Sequence, residues 1–187
     1  MKGNKLSLLL AGAAFLAAFP VHAESVGGAA PAMFAVEEVL LQFTRFGNNK
    51  VAESCGLTQN DLDAVIAKTL KDAGVPHAMV GDAKPAMAGR ARINFGATII
   101  TLNSQGMDCT SWVSLAAETK NSLHVPPVDI SRNVTVVYWR EGSLMTTSQT
   151  VHARQVSDAL QKITRHFAEQ YKLDQPPALP GADKEEE

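Results

Sequence analysis

Two cysteines are the residues of this chain whose positions point most directly to a chemical bond. Cys55 precedes a predicted helix and Cys109 lies in a predicted β-hairpin. An even number of cysteines in an exported protein favours a disulfide. The bond would close a loop of about 54 residues, for which the chain-entropy relation gives roughly 4 kcal/mol of stabilisation at most. We therefore predict a Cys55–Cys109 disulfide that joins the helix start to the sheet.

The same cysteines allow two other interpretations. A helix N-terminus promotes thiolate formation, so Cys55 could be a reactive thiol. No second cysteine lies two residues away, so the spacing of a redox pair is missing. Both cysteines could also remain unpaired and inert, since a bond requires Cα atoms within about 7 Å.

Histidines are the next candidates, because they serve as metal ligands and general bases. Beyond residues 1–23, the chain contains His77, His124, His152 and His166. A zinc site typically uses ligands a few residues apart, and no pair of these histidines is that close. His152 and His166 would lie about 21 Å apart on one helix. We predict no metal site and expect four surface or loop histidines.

Ser143 and His152 are close enough in sequence to suggest nucleophilic catalysis. A catalytic triad is defined by geometry, however, and the chain lacks a Gly-x-Ser-x-Gly elbow. It also lacks a phosphate-binding loop, a paired-histidine metalloprotease motif and a calcium loop. Capping and solubility explain four carboxylates on a helix and its exit loop, namely Asp61, Asp63, Asp72 and Asp82. We predict no catalytic residue and no cofactor, and a non-catalytic role is favoured over an enzyme.

Two tryptophans, Trp112 and Trp139, are possible contact residues, since exposed tryptophan is a frequent hot spot of binding. Trp112 is out of phase with the apolar residues of its strand, so it lies either under a helix or exposed on the second sheet face. Trp139 ends a predicted strand, and a core position is favoured for it. Arg45, Arg90 and Arg92 could form a small basic spot, without the interleaved aromatic residues that bind single strands.

The composition bounds the class of protein. The chain has 187 residues, a formal net charge of −2 and 45% hydrophobic residues. These values are typical of one globular domain. Nucleic-acid binding needs a concentrated basic surface, which a near-neutral chain does not provide. We therefore expect no nucleic-acid partner.

Residues 1–23 have the pattern of a secretory signal peptide. Lys2 and Lys5 precede an apolar stretch of about 14 residues, shorter than the roughly 20 of a membrane span. Val21 and Ala23 are the small residues that a signal peptidase reads. We expect cleavage after Ala23, no membrane span afterwards, and a periplasmic or secreted protein. If the source were eukaryotic, Asn133 would begin a glycosylation sequon.

The mature chain divides into three parts by composition. Residues 24–32 are rich in Gly, Ala and Pro and predict a flexible lead. Residues 33–173 are long enough to enclose one hydrophobic core. Residues 174–187 hold three prolines and a run of acids, which predicts a disordered tail.

Periodicity predicts the elements of this single domain. Strands are expected at 34–43, 76–80, 92–102, 107–119 and 134–139. Helices are expected from a Thr58 cap to Gly74 and over 150–173. Pro126 and Pro127 predict a loop at 120–129, and Gly142 predicts a strand end. The result is an α+β fold with two helices and a mainly antiparallel sheet of four to five strands, in the order β-α-β-β-β-β-α.

The assembled pattern resembles a loosely defined set of small exported bacterial α+β proteins. The resemblance rests on Cys55-Gly56-Leu57-Thr58, the long hairpin, Trp139-Arg140-Glu141-Gly142 and a last helix with Phe167 and Tyr171. It covers residues 34–173 and implies no activity for any of them. At the level of fold, the order is also similar to the N-terminal domain of the TolB family, and fold does not determine function.

These observations favour a non-catalytic envelope module that binds another envelope protein or envelope component. A sheet edge able to accept a partner strand is one way to do so. The alternative is a small-ligand-binding protein, or an enzyme, with an unrecognised site. A concave pocket with convergent polar groups would support that alternative.

Intact mass tests the cysteine prediction. We expect the mature protein to be two hydrogens lighter than its sequence mass, because a disulfide has formed. Two thiols that can be alkylated without reductant would contradict it.

Overall fold

The computed structural model describes residues 33–34, 36–82, 91–104, 107–125 and 130–175, with the side chains of 123–125 and 130 left out. Six strands and three helices follow one another in these residues. They are β1 (Val36–Leu41), β2 (Arg45–Phe46), α1 (Asn49–Ser54), α2 (Gln59–Asp72), β3 (His77–Met79), β4 (Ala91–Ser104), β5 (Asp108–Val125), β6 (Ile130–Ser148) and α3 (Gln149–Asp174). The predicted signal peptide, the lead at 24–32 and most of the predicted tail lie outside this range.

The strands form one mixed sheet. Its order is β3-β1-β4-β5-β6, and β2 pairs with β4. The pairs of β1 with β3, β1 with β4 and β2 with β4 are parallel, whereas β4, β5 and β6 are antiparallel neighbours. The α+β class is confirmed, but the expectation of a mainly antiparallel sheet is wrong, because β1 inserts between β3 and β4. Local hairpin signals report chain neighbours and give no information on that insertion.

The sequence signals of α2 act as predicted. Thr58 caps the helix, its hydroxyl accepting the Asp61 backbone N–H at 3.3 Å and donating to the Asp61 carboxylate at 2.6 Å. Gly74 ends it with a φ of +70°, a left-handed conformation that glycine adopts without a Cβ clash. The buried carboxylate of Asp63 accepts the N–H and the hydroxyl of Thr44, at 2.8 and 2.6 Å. Asp63 therefore holds the connection between β1 and β2 on the helix, a role that capping and solubility do not describe.

One face of the sheet carries the core. Alternate residues of β4 and β5 are buried beneath α2 and α3, including Phe95, Ile99, Val113 and Leu115. Phe95 stacks on Phe167 of α3 with a centroid distance of 4.2 Å. This pairing buries large apolar areas and adds the geometry that aromatic pairs prefer.

α3 is attached to the rest of the domain at both ends. Near its C-terminus, Tyr171 donates to the Val36 carbonyl at 2.7 Å, and the buried Asp174 carboxylate accepts the Met33 N–H at 3.1 Å. Near its N-terminus, the Gln149 side chain donates to the Ser54 carbonyl. These contacts join sequence positions that are far apart, so they orient α3 along the sheet.

Two strand boundaries differ from the predictions. The loop expected at 120–129 is wrong for 120–125, because β5 continues to Val125 and pairs with β6. The strand end expected at Gly142 is also wrong, because β6 continues through it to Ser148. A Cβ at Gly142 would lie 2.9 Å from the Val113 carbonyl oxygen, so close packing accounts for this glycine in mid-strand.

Beyond Glu118, β5 loses its β4 neighbour and pairs with β6 alone. Seven residue pairs, from Thr119–Val136 to Val125–Ile130, form a two-stranded extension that we call the arm. At about 3.3 Å per residue the arm projects roughly 20 Å past the sheet. The short β2 and α1 were also not predicted, since two and six residues give too little periodicity.

The predicted disulfide is confirmed. Cys55 and Cys109 are both fully buried, with sulfurs bonded and Cα atoms 6.0 Å apart. Cys55 is the C-cap residue of α1 and Cys109 begins the buried register of β5. The bond therefore connects the helical segment before α2 to the sheet across 54 positions of sequence.

Replacement of both cysteines tests the contribution of this bond. The Cys55→Ser/Cys109→Ser variant should lose roughly 3–4 kcal/mol of unfolding free energy, because its unfolded chain regains the closed loop's entropy. Urea unfolding monitored by circular dichroism measures this loss. Ser54→Ala, an exposed neighbour, serves as the control and should change the stability by under about 1 kcal/mol. A double variant as stable as the parent would contradict the expectation.

Candidate functional site

The second face of the sheet is not covered by any described helix. Side chains there are the alternate residues of β4, β5 and β6 that point away from α2 and α3, and we call this the uncovered face. The register sets them in rows across the strands, such as Gly96–Ala116–Arg140 and Ile100–Trp112–Leu144. The strand register therefore identifies which side chains are neighbours on the uncovered face, both along each strand and across the strands.

Small residues form a floor in the middle of the uncovered face. Gly96 pairs with Ala116, and Thr98 pairs with Ser114, which in turn pairs with Gly142. Side chains of this size leave a depression between the longer residues around them. A Cβ on Gly96 would lie 3.0 Å from the Gln42 Cβ, so the glycine also lets Gln42 approach the floor.

This depression is a groove of about 620 Å³. That volume lies within the usual range of small-molecule sites, roughly 300–1,000 Å³. Trp112 lies at one side, with 42% of its surface exposed and its indole nitrogen beside Gly142. Phe43 and Val80 lie at the other side and are also exposed. The groove thus has apolar side chains on two sides of a floor of small residues.

Charged side chains give the groove a net positive charge. Arg45, Lys120 and Arg140 line it together with one carboxylate, Glu118. In the described part of the chain, none of the three cations forms an ion pair with a carboxylate. Three cations and one anion leave the groove with a formal charge of +2, available to an anionic group.

A hydrogen-bonded amide pair fixes one wall. The Gln42 side-chain amide donates to the Asn94 side-chain oxygen at 2.9 Å, and both residues line the groove. Beyond them, Arg92 and Glu38 form an ion pair at 2.6 Å in which both side chains are largely buried. Arg92 is therefore neutralised locally.

Exposed apolar side chains adjoin the groove at the β4–β5 turn. We call Ile100, Leu102 and Leu144 the apolar strip; Trp112 lies between Ile100 and Leu144 in the register and also lines the groove. Leu102 is 67% exposed and Leu144 is 70% exposed. Contiguous exposed apolar surface of this kind marks interaction sites on folded proteins.

His152 is buried in a chain of hydroxyl groups, and the prediction of a surface histidine is wrong for it. Its Nε2 lies 2.8 Å from the Ser111 hydroxyl and its Nδ1 lies 2.7 Å from the Thr147 hydroxyl. Ser111 in turn contacts the Thr101 hydroxyl at 2.8 Å. Burial lowers the pKa of His152, because the charged ring would lose its hydration.

The Ser111–His152 pair resembles part of a catalytic triad but does not reach a substrate. Both residues have no exposed surface, so the serine oxygen is closed to any reactant. The pair that the sequence suggested, Ser143 with His152, is not hydrogen-bonded, since hydroxyls of other residues occupy both ring nitrogens. The network joins β4, β5, β6 and α3 and is a structural element of the core.

The structure separates the two tryptophans. Trp112 is on the uncovered face, whereas Trp139 packs in the aromatic cluster, 6.1 Å from Phe95 and 5.3 Å from Phe167. Exposed His166 lies 3.0 Å from Glu141, and His77 is partly buried in β3. The His124 side chain and Arg90 lie outside the described residues. Within those residues, no three His, Cys, Asp or Glu side chains are grouped to hold a metal.

Sequence reasoning did not find the groove, although part of its signal was present. The alternation of Asn94, Gly96 and Thr98 with buried residues shows that one face of β4 is polar and small. Arg45 and Arg140, which are 95 positions apart, share this site only through the order of the strands. Among the residues described, no helix has both the length and the hydropathy of a membrane span.

Comparison with known proteins adds little. No protein-family model matches the chain, and no curated protein matches it. A solved structure, that of a neuraminyllactose-binding hemagglutinin homolog from Helicobacter pylori, is similar with a TM-score of 0.34 and 10% identity. The match covers 72% of this chain and 82% of that one. A likeness of this extent supports no conclusion about the groove.

The pH dependence of the unfolding free energy tests whether the His152 side chain is buried. Its folded-state pKa lies below the unfolded value of about 6.5, so the unfolded chain binds a proton that the folded chain does not. The contribution of His152 to the unfolding free energy should therefore be complete above about pH 6.5. The unfolding free energy should decrease as the pH is lowered from 6.5 towards 5.5. Urea midpoints measured across this interval check the slope.

Two variants test whether His152 causes this pH dependence. His152→Gln should be less stable at every pH but lose the dependence between pH 6.5 and 5.5, because the titrating group is gone. Gln155→Asn, a change at an exposed and non-titrating position of α3, should retain the parent's slope. Equal slopes in the parent and His152→Gln would contradict the assignment.

Proposed function

We propose that this protein is an exported small-ligand-binding protein of the bacterial envelope, the alternative that a concave pocket was expected to support, and that the uncovered face is its binding surface. The observation that carries this proposal is the groove, where an exposed indole, an amide pair and three cations without a carboxylate partner among the described residues converge on a floor of small residues. Such groups bind ligands by stacking, charge and hydrogen bonds. A concave site of this type favours the binding of an envelope component that enters the groove.

Export is supported by chemistry as well as by the N-terminal pattern. A buried Cys55–Cys109 disulfide persists in oxidising compartments and is rare where thiols are kept reduced. Together with the signal-peptide pattern of residues 1–23, this favours the periplasm or the medium as the location. The proposal of an envelope partner depends on that location.

A second candidate function is protein binding by strand addition. Among the described strands, β6 has a neighbour on one side only, so the backbone groups of its other edge are open along 19 residues. Long open edges pair readily with an added strand. The arm extends this edge past the sheet, and its exposed Val136 and Val137 would provide side-chain contacts.

Photo-cross-linking in the periplasm tests both candidates. A benzophenone amino acid is placed at Val80 or Thr110 on the uncovered face, at Thr135 on the arm, and at the exposed Gln155 and Lys162 of α3 as controls. We expect adducts with envelope components from Val80 and Thr110 at least about fivefold above the α3 positions, since the ligand occupies that face.

The pattern of adducts distinguishes the outcomes. Protein adducts concentrated at Thr135 would support strand addition in place of the groove. Equal yields at all five positions, in a protein whose melting temperature is unchanged, would contradict a binding surface on the uncovered face.

A further inference from the structure

The uncovered face has two zones of opposite character that meet at one residue. The groove combines cationic and amide side chains with apolar walls, whereas the apolar strip at the turn end of β4 and β5 is aliphatic and carries no charge. Trp112 lies on the boundary, because it lines the groove and pairs with Ile100 and Leu144 of the strip. Tryptophan favours such borders, since its ring is apolar and its N–H is polar.

From this arrangement we infer that the ligand of the uncovered face is a single anionic lipid of the envelope. Its acidic headgroup occupies the groove and its acyl chain lies along the apolar strip. The inference rests on the proposed function, for which it names the class of ligand.

The headgroup assignment follows from charge. Arg45, Lys120 and Arg140 face the groove without carboxylate partners in the part of the chain that the structure describes, and the charge of Glu118 offsets one of theirs. A phosphate or carboxylate oxygen accepts charge-assisted hydrogen bonds from such groups, and arginine can donate two in parallel. Arg92 does not take part, because Glu38 already neutralises it.

The assignment of the acyl chain to the apolar strip follows from the exposure of the strip's side chains. Leu102 and Leu144 are each about 70% exposed, and Ile100 is 48% exposed. Covering aliphatic surface gains roughly 25 cal/mol per Å² removed from water. A saccharide would stack on Trp112 and Phe43 but would leave these aliphatic side chains in water. An acyl chain covers both the indole edge and the strip.

Acidic residues on the same face favour one lipid over a whole membrane surface. Glu118 lies in the groove, and the exposed Asp108 lies on the same face as Leu102, at the turn end of β5. An anionic leaflet laid against the face would contact these carboxylates as well as the cations, and like charges repel. A single headgroup can sit among the cations and leave Asp108 in water.

The experiment uses the mature protein and short-chain lipids below their micelle concentration. Isothermal titration calorimetry compares dihexanoyl-phosphatidylglycerol with dihexanoyl-phosphatidylcholine and with glycerol 3-phosphate. We expect the anionic lipid to bind at least tenfold more tightly than the zwitterionic one, because only the former has a net charge for the groove. We also expect it to bind at least tenfold more tightly than glycerol 3-phosphate, which has no chain.

Variants separate the two halves of the site. Arg140→Gln should lower the preference for the anionic lipid over the zwitterionic one by about fivefold or more. Leu144→Ser should weaken both lipids by a similar factor and keep their ratio. Arg154→Gln and Leu173→Ser, which make the same changes at exposed positions of α3, should bind as the parent does. If either test variant has a lowered melting temperature, Lys120→Gln and Leu102→Ser replace it.

Several results would overturn the inference. Equal affinity for the two lipids would contradict the assignment of the acidic headgroup to the groove. Glycerol 3-phosphate binding as tightly as the anionic lipid would contradict the assignment of the acyl chain to the apolar strip. Binding to anionic vesicles without binding to monomeric lipid would make the ligand a membrane surface. If no lipid binds but Val80 and Thr110 form protein or glycan adducts, the lipid inference is wrong and the proposed binding surface stands. If Val80 and Thr110 form no adducts either, both the lipid inference and the proposed binding surface are wrong.

Discussion

The stacking of α3 on one face of the sheet is the interaction on which the rest of this structure depends. Phe167 meets Phe95 at 4.2 Å, and Trp139 joins them from β6. Because side chains alternate along a strand, burying one set beneath α3 exposes the other set on the opposite face. A shift of one residue in β4 would exchange the core with the groove. The core and the candidate site are therefore two consequences of one register.

Fixed connections at the ends of α3 preserve that register. At the turn end of the sheet, the Cys55–Cys109 bond and the His152 hydroxyl network attach α1, β5, β6 and α3 to one another. At the other end, Asp174 and Tyr171 hold the start of the domain through backbone groups. Most of these are buried hydrogen bonds to groups far away in sequence, which are costly to leave unpaired. They keep α3 on the covered face and leave the uncovered face open.

An open sheet face in a domain of this size needs an explanation. Its centre is built from small residues, and its margins carry exposed aliphatic side chains and cations that have no carboxylate partner among the described residues. Folding alone does not favour such a surface, because exposed apolar area and unpaired like charges stabilise nothing within the domain. A ligand that is acidic at one end and apolar at the other would satisfy both features together.

The two cysteines show what sequence reasoning can do and where it stops. Their even number and the signal-peptide pattern of residues 1–23 were enough to predict the bond, because the chemistry needs only two thiols and an oxidising compartment. The α2 helix was predictable for a similar reason, since Thr58, Asp61 and Gly74 act on backbone groups within a few residues. The boundaries of β6 were not predictable, because Gly142 is stabilised by contacts with the neighbouring β5.

The α+β class, the disulfide, the capped helix and the buried register of the β4–β5 hairpin could all be predicted from the amino-acid sequence. The folded chain was needed to show that β1 lies between two parallel neighbours, that His152 is buried, and that Arg45, Trp112 and Arg140 meet in one groove. The difference is one of range. Capping, alternation and turn formation depend on residues a few positions apart, whereas strand order and the face that a helix covers depend on contacts between distant segments.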